Sequence, residues 1–372
     1  MEPTRATLGC AVVLMLVAVG ACALVHKTIQ SDDGDVIDCV DVYQQPALKG
    51  SSPGDREIQA MPKRSMQAMA AAAGISSASS SAKLQTWRKR GSCPAGTVPI
   101  RRASARAKPE VAQRARPFQH TSSNDGSSFN FPIAMDIPTG TVEVAATYGT
   151  NGPYLGARAD VPYWRIDVHP DEFSMNYILI GNTLDTNYVP MPGAKPPAEL
   201  TNQIAVGVVA WPSQFGDSLL RLFVYYTENS PFALEAAFSD SDSQEPGGEN
   251  WWVSVMGEVI GYYPETTFNT RFSEAVYVEM GGRVLNTRPG GNHTRTPMGS
   301  GVPACAGSGF AAAIKEYFGI ASDGTLFDDQ AERTFITTPS CYGAYPLGFG
   351  KTRPGYDVVF GGPGGIYCDQ TA

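Results

Sequence analysis

The chain has 372 residues, 42% hydrophobic and 17% charged, enough apolar material for one large domain with a smaller segment beside it. Its 36 acidic against 28 basic side chains give a net charge of −8, which argues against a nucleic-acid binder. Abundant glycine (39), proline (28) and tyrosine (16) favour many short strands joined by tight turns over long helices.

At the N-terminus Arg5 precedes the apolar run LGCAVVLMLVAVGACALV, and Ala21-Cys22-Ala23 has the small-residue form of a signal cleavage site. Residues 1–23 read as a signal peptide. The competing reading is a membrane anchor, since the run is close to the minimum span of about 18 residues. No later stretch is apolar enough to span a bilayer. After signal removal the chain is expected free of the membrane, extracellular or in the cell wall, with the vacuole as the alternative.

Residues 24–117 differ from the rest. DGDVIDCVDVYQQPALKG leads into the alanine- and serine-rich MQAMAAAAGISSASSSAK, with a short helix expected over 62–73 and disorder after it. A basic run follows, RKRGSCPAGTVPIRRASARAKPEVAQRARP. In a secreted acidic protein it reads as a pro-segment held against an acidic domain, with dibasic sites open to processing proteases, or else as a solvated linker.

Residues 118–372 carry almost all the aromatics. Strand-like runs recur in TVEVAATY, FSMNYILIG, QIAVGVVA, RLFVYYT, WWVSVMGEVIGYY, AVYVEM and YDVVFGG. Turn clusters separate them: YGTNGPYLG, PSQFGD, SQEPGGEN, RPGGN and FGGPGG. Several strands alternate in polarity, as in sheets with one wet face. FAAAIKEYFG is the best helical pattern. The fold expected is all-β, an antiparallel β-sandwich preceded by an N-terminal pro-segment.

Outside the signal there are five cysteines, with no zinc-type spacing. Pairing within each segment gives Cys39 with Cys93 and Cys341 with Cys368. Cys305 is then odd, and is buried, reactive or paired between chains. Asn292-His293-Thr294 is an N-glycosylation triplet in a Gly-rich turn.

Taken in order, these segments resemble the neprosin family, a plant family of secreted proteins. DVIDCVDVYQQPALK, IQAMPKRS and CPAGTVPIRR resemble its activation peptide. GARADVPYW, DEFSMNYILIGN, GVVAWPSQFGD, RLFVYYT, NWWVSVMGEVIGYYP, VEMGGRVLN, HTRTPMGSG, CYG and FGGPGG resemble its catalytic domain. The resemblance implies a β-sandwich, a removable pro-segment of residues 24–117, a catalytic-type domain of residues 118–372, and, in active members, a glutamic peptidase cleaving after proline. It implies no metal and no cofactor.

Such a peptidase needs two facing carboxyls, one activating water as general base and the other donating a proton. Close carboxylates cannot both ionise readily, so the optimum is acidic. The family motifs place one glutamate in N-x-I-E-x-G ahead of P-S-x-[YF]-G-D, where NQIAVGVVAWPSQFGD has Ala205. They place the second at the end of E-W-G-G-E-V, where EMGGRV has Glu279 at its first acid, Met280 for the tryptophan and Arg283 at the last acid. A methyl group moves no proton, and arginine stays charged. Residues 228–249 also form a shorter connection than the family's.

Two readings of different classes follow. In the first the protein is catalytically degenerate and binds proline-rich peptides or a protein partner, in a groove lined by Trp211, Tyr225 and Tyr226, with Arg283 able to hold a C-terminal carboxylate. In the second it is an active peptidase with rearranged acids: Glu279, or Asp171, Glu172, Asp217 and Glu258. Against the second, Asp171 and Glu172 open a strand and are expected to face solvent, and Asp217 suits a turn. On a regular strand 279 and 283 share a face, unless Gly281-Gly282 inserts a bulge. A third reading, a sugar-binding sandwich, rests on fold analogy. His26, His120, His169 and His293 are expected to be structural or exposed, and no G-x-S-x-G elbow supports a serine triad.

Overall fold

The structure is a computed structural model. It describes residues 24–45, 86–104, 106–107, 141–183, 201–227, 234–235, 241–244, 250–255, 258–268, 272–289, 292–350, 353–365 and 368. The signal peptide and the helix expected over 62–73 lie outside these residues. Among the described residues no helix is long and apolar enough to cross a membrane. The chain divides into two compact units, Met1–Arg56 with Lys83–Arg102, and Glu57–Ala82 with Ala103–Ala372.

The first unit is an antiparallel sheet of β1 (Val25–Gln30), β2 (Val36–Asp41) and β3 (Thr97–Arg101), in that order. Ile29, Ile37 and Cys39 are buried, with Trp87 and Cys93 packed on them. A sheet this small buries little apolar surface, and the Cys39–Cys93 disulfide ties it together. Over residues 90–102 the basic run is engaged with the acidic side chains of this unit. Arg90 pairs with Asp32 at 2.6 Å, Arg101 with Asp35 at 3.2 Å and Arg102 with Asp38 at 2.7 Å.

In the second unit the strands are β4 (Thr141–Gly149), β5 (Gly156–Asp160), β6 (Ser174–Thr183), β7 (Thr201–Ala210), β8 (Leu220–Thr227), β9 (Leu234–Glu235), β10 (Ser241–Gln244), β11 (Asn250–Val255), β12 (Glu258–Pro264), β13 (Tyr277–Asn286), β14 (Ala312–Ile320), β15 (Leu326–Phe327), β16 (Arg333–Ile336), β17 (Gly343–Phe349) and β18 (Tyr356–Gly361). One sheet runs β16-β4-β13-β6-β7-β8-β9; the other runs β12-β11-β10-β5-β14-β18-β17, with β15 on β14. All pairings are antiparallel. Ile178, Val206, Val278 and Met280 from the first sheet pack with Trp251, Ile314, Tyr317 and Phe360 from the second, so the sheets form an antiparallel sandwich.

Three local expectations are corrected. FAAAIKEYFG lies on β14, because β5 and β18 claim its backbone groups from both sides. Ala312, Ile314 and Tyr317 all reach the core because a register shift between Ile314 and Tyr317 absorbs the extra residue. WWVSVMGEVIGYY is the hairpin of β11 and β12. The seven-stranded sheet has no wet face along its centre: every residue of β13 is buried, and a second apolar cluster with Val144, Leu179, Ala205, Phe223 and Leu285 covers the face away from the other sheet. Trp211 and Phe215 fold onto that second face from the turn after β7. There α1 (Pro212–Phe215) makes one turn, begun by Pro212, which needs no N–H at that position, and ended by Gly216 in the left-handed conformation with its N–H on the Pro212 carbonyl at 2.7 Å.

Candidate functional site

The second face of the seven-stranded sheet holds Ala205 and Arg283, the two positions at which the sequence motifs lead one to expect glutamates. Its register sets out rows of side chains. Tyr148, Glu279, Leu179, Ala205 and Tyr225 form one row across β4, β13, β6, β7 and β8. The next row on this face is Ala146, Gly281, Tyr177, Gly207 and Phe223, and the one after is Val144, Arg283, Met175, Val209 and Arg221. Glu279 and Arg283 share the face because the ladder is continuous through Gly281-Gly282, with no bulge.

Four residues along a strand separate Glu279 from Arg283 by about 13 Å at Cα, and the side chains close that gap. Arg283 Nη2 donates to Glu279 Oε1 at 2.8 Å, and Arg283 Nε donates to the Tyr177 phenol at 2.9 Å. Tyr177, in the intervening row of β6, donates to the same Glu279 oxygen. The Arg283 guanidinium also lies 4.8 Å from the centre of the Tyr177 ring. Glycine flanks Tyr177 in its row on both sides; at Gly207 a methyl group would lie 2.0 Å from the Asn176 carbonyl oxygen.

This cluster is dry. Arg283 and Tyr177 are fully buried and Glu279 is 3% exposed. Burial pushes the Tyr177 phenol well above the usual tyrosine range. Tyr277 is raised first by burial and next by Glu279, and its hydroxyl accepts from Gln203 Nε2 at 2.6 Å. Burial works against the Arg283 charge, but Tyr177 and Glu279 outweigh it and its pKa is raised. The arrangement is an ion pair tied by a phenol. It differs from a carboxyl dyad in having, among the described residues, no second acid to share a proton with Glu279.

Ala205 is fully buried in the Glu279 row, two strands away across Leu179, about 10 Å at Cα. Arg283 is offset from Ala205 by two strands and two rows. The guanidinium expected to hold a peptide carboxylate is already engaged by Glu279. Of the expected groove aromatics, Trp211 and Tyr225 belong to this face. Tyr226 packs against the inter-sheet core instead, its ring 4.6 Å from that of Tyr263.

The other acids are elsewhere. Glu172, expected to face solvent, is fully buried. It accepts from the Thr287 N–H at 3.0 Å, from the Thr287 hydroxyl at 2.9 Å, and from the hydroxyls of Thr294 and Thr296. The HTRTP segment supplies two of these donors, which is why Glu172 turns inward; three threonines distant in sequence gave no local signal of it. Asp171 is half-buried beside it. Asp217 accepts from the Leu219 N–H at 2.9 Å and pairs with Arg221 at 2.6 Å, a turn role. Glu258 opens β12, and its side chain lies outside the described residues. His26 lies 3.9 Å from Asp41 and His293 3.8 Å from Glu143, while His120 lies outside the described residues.

Glu143, His293 and Cys341 bring possible ligand atoms within 4.8 Å of one another. The Cys341 sulfur is bonded to Cys368, so it offers no thiolate to a metal. Cys305 is free and exposed. Asn292 is exposed, its side-chain amide donating to the Pro289 carbonyl at 3.0 Å.

A protein-family model described as Neprosin activation peptide matches residues 28–131, and one described as Neprosin matches residues 238–363. The second match spans Glu279 and Arg283 and begins after Ala205. With an activation peptide ahead of a β-sandwich domain that carries the matched segment, the chain belongs to the neprosin family.

Proposed function

We propose that this chain is a secreted neprosin-family protein that has lost the glutamic-peptidase reaction and binds extended proline-rich peptide or protein segments. The observation that carries this reading is the buried Tyr177–Glu279–Arg283 cluster. The reaction requires one carboxylate to take a proton from water and one carboxylic acid to give a proton to the leaving amine. Glu279 is neutralised by a guanidinium that cannot deprotonate, and the facing position across Leu179 carries only the methyl group of Ala205. Tyr225, half-buried on the same face, offers a flat apolar surface that suits proline rings, whereas Trp211, expected to line the groove with it, is buried in the cluster on that face. Two disulfides fit an oxidising compartment.

The test is an assay with a quenched proline-containing peptide across about pH 2.5–7, the acidic range in which a carboxyl pair would work. The native chain is expected to be silent, and the Ala205→Glu, Arg283→Glu double variant to cleave after proline. Cleavage by the native chain that is abolished in Glu279→Gln would overturn the reading in favour of a peptidase with rearranged acids.

A further inference from the structure

The chain has a single Asn-x-Ser/Thr triplet, Asn292-His293-Thr294, and the fold places its two ends in opposite environments. Asn292 is exposed, whereas Thr294, two residues on, is fully buried. The triplet follows β13, whose last residue, Asn286, is buried and ties it down. The Asn286 side-chain amide donates to the Asn292 carbonyl at 3.0 Å and to Glu143 Oε1 at 2.9 Å. Asn292 is therefore anchored through its backbone while its side chain points to solvent. That side chain tolerates a substituent on nitrogen. The amide has two N–H bonds, and it donates to the Pro289 carbonyl at 3.0 Å. A group replacing one amide hydrogen still leaves one for Pro289.

Thr294 is closed in. Its hydroxyl donates to Glu172 Oε2 and accepts from the Thr296 N–H at 3.0 Å, and its carbonyl accepts from the Gly365 N–H at 2.6 Å. The nearby Thr296 carbonyl accepts from the Tyr342 hydroxyl at 2.8 Å. Besides the acceptor amide, the triplet's requirement is the Ser/Thr hydroxyl, and in the folded chain that hydroxyl is already engaged. The partners arrive in a definite order. Glu172 precedes the triplet in the chain, but Tyr342 and Gly365 follow it, so the enclosure is completed only after the C-terminal strands are made. At about 5–20 residues per second of synthesis, Gly365 is added roughly 4–14 s after Thr294.

We propose that Asn292 carries an N-linked oligosaccharide, attached while Thr294 is open and before the HTRTP segment closes on Glu172. The donor is a lipid-linked oligosaccharide diphosphate. Asn292 Nδ2 bonds to C1 of the first sugar, the bond from C1 to the diphosphate oxygen breaks with its electron pair leaving on the diphosphate, and one amide proton is released to solvent. Thr294 then serves twice, first as the recognised hydroxyl and, in the finished fold, as a donor to the buried Glu172 carboxylate. Attachment requires the secretory route read from residues 1–23; the choice of residue and the order of events do not rest on that reading.

The full chain is expressed in a eukaryotic host behind its own leader and, in parallel, behind an unrelated cleavable signal peptide. Treatment with peptide N-glycosidase, which hydrolyses the linkage and leaves aspartate, is expected to remove the mass of one glycan and to show aspartate at 292 in a peptide map. Asn292→Gln, at an exposed position, is expected to be secreted without the glycan. A glycan seen only behind the unrelated signal refutes the reading of residues 1–23 and supports the site. No glycan behind either signal, or a glycan that persists in Asn292→Gln, overturns the site. The order of events is tested on chain from cells in which tunicamycin blocks synthesis of the lipid-linked donor. Given purified oligosaccharyltransferase and that donor, the folded chain is expected to be modified at least about a hundredfold more slowly than the same chain reduced and carboxymethylated, because transfer must wait for local opening around Thr294. Equal rates overturn the proposed order.

Discussion

Replacing Arg283 by methionine keeps most of the buried stem and removes the charge. Glu279, 3% exposed, then keeps only the Tyr177 hydroxyl among the two donors that reach its Oε1. Breaking a buried pair from one side costs about 3–5 kcal/mol, because an uncompensated charge stays in the dry interior. In a unit of this size each kcal/mol lowers the melting temperature by roughly 2–4 °C, so a fall of about 10 °C is expected. The double variant Glu279→Gln, Arg283→Met removes the charge as well as its partner and is expected to regain at least about 2 kcal/mol relative to the single variant. Denaturant midpoints of the parent, both single variants and the double variant, at neutral pH, measure these quantities. A deficit under about 1 kcal/mol, or a coupling near zero, would refute the reasoning that the Glu279–Arg283 ion pair is a structural element of the sheet.

Three further outcomes are expected. Glu172→Ala strands the Thr287 N–H and three threonine hydroxyls and should cost about 3 kcal/mol or more in urea unfolding, whereas its half-buried neighbour Asp171→Ala should cost under about 1 kcal/mol. Replacing Cys39 and Cys93 by serine opens a loop of sequence separation 54 and should destabilise the first unit by about 4 kcal/mol, read from its thermal melt with the second unit as internal control. Hydrogen bonds from Arg102, outweighing burial, hold the Asp38 carboxyl below the usual range. Its folded pKa is therefore depressed, and its contribution is present above about pH 4 and is lost as pH falls through the folded value. Hydrogen exchange at the Arg102 N–H should accelerate over that acid interval in the parent and stay pH-insensitive, beyond the intrinsic exchange chemistry, in Asp38→Asn.

Much of the sandwich was legible along the chain. β4, β6, β7, β8, β13 and β18 fall on the apolar and β-branched runs read as strands, and PSQFGD and most of YGTNGPYLG fall between strands. That information is local: side chains alternate along any extended segment, and turns require particular residues wherever they occur. The same alternation places Glu279 and Arg283 on one face, which the four-residue spacing already specified. That positions 205 and 283 carry alanine and arginine, neither of them an acid, is likewise a fact of the sequence, independent of any packing.

The rest depended on groups far apart in the chain. Tyr177 meets Glu279 and Arg283 across a separation of more than a hundred residues, and only the register of β6 on β13 puts its phenol between them. Nothing near Glu172 announces that Thr287, Thr294 and Thr296 will surround it. FAAAIKEYFG has a helical spacing in isolation, and β14 exists because strands on either side complete its backbone hydrogen bonds. Burial of the sheet's second face, which turned an apparent arginine binding site into a closed ion pair, is also a property of the assembled fold. Periodicity specifies which side chains share a face, while what covers that face, and which charges find partners there, is settled by contacts between segments that the chain order keeps apart.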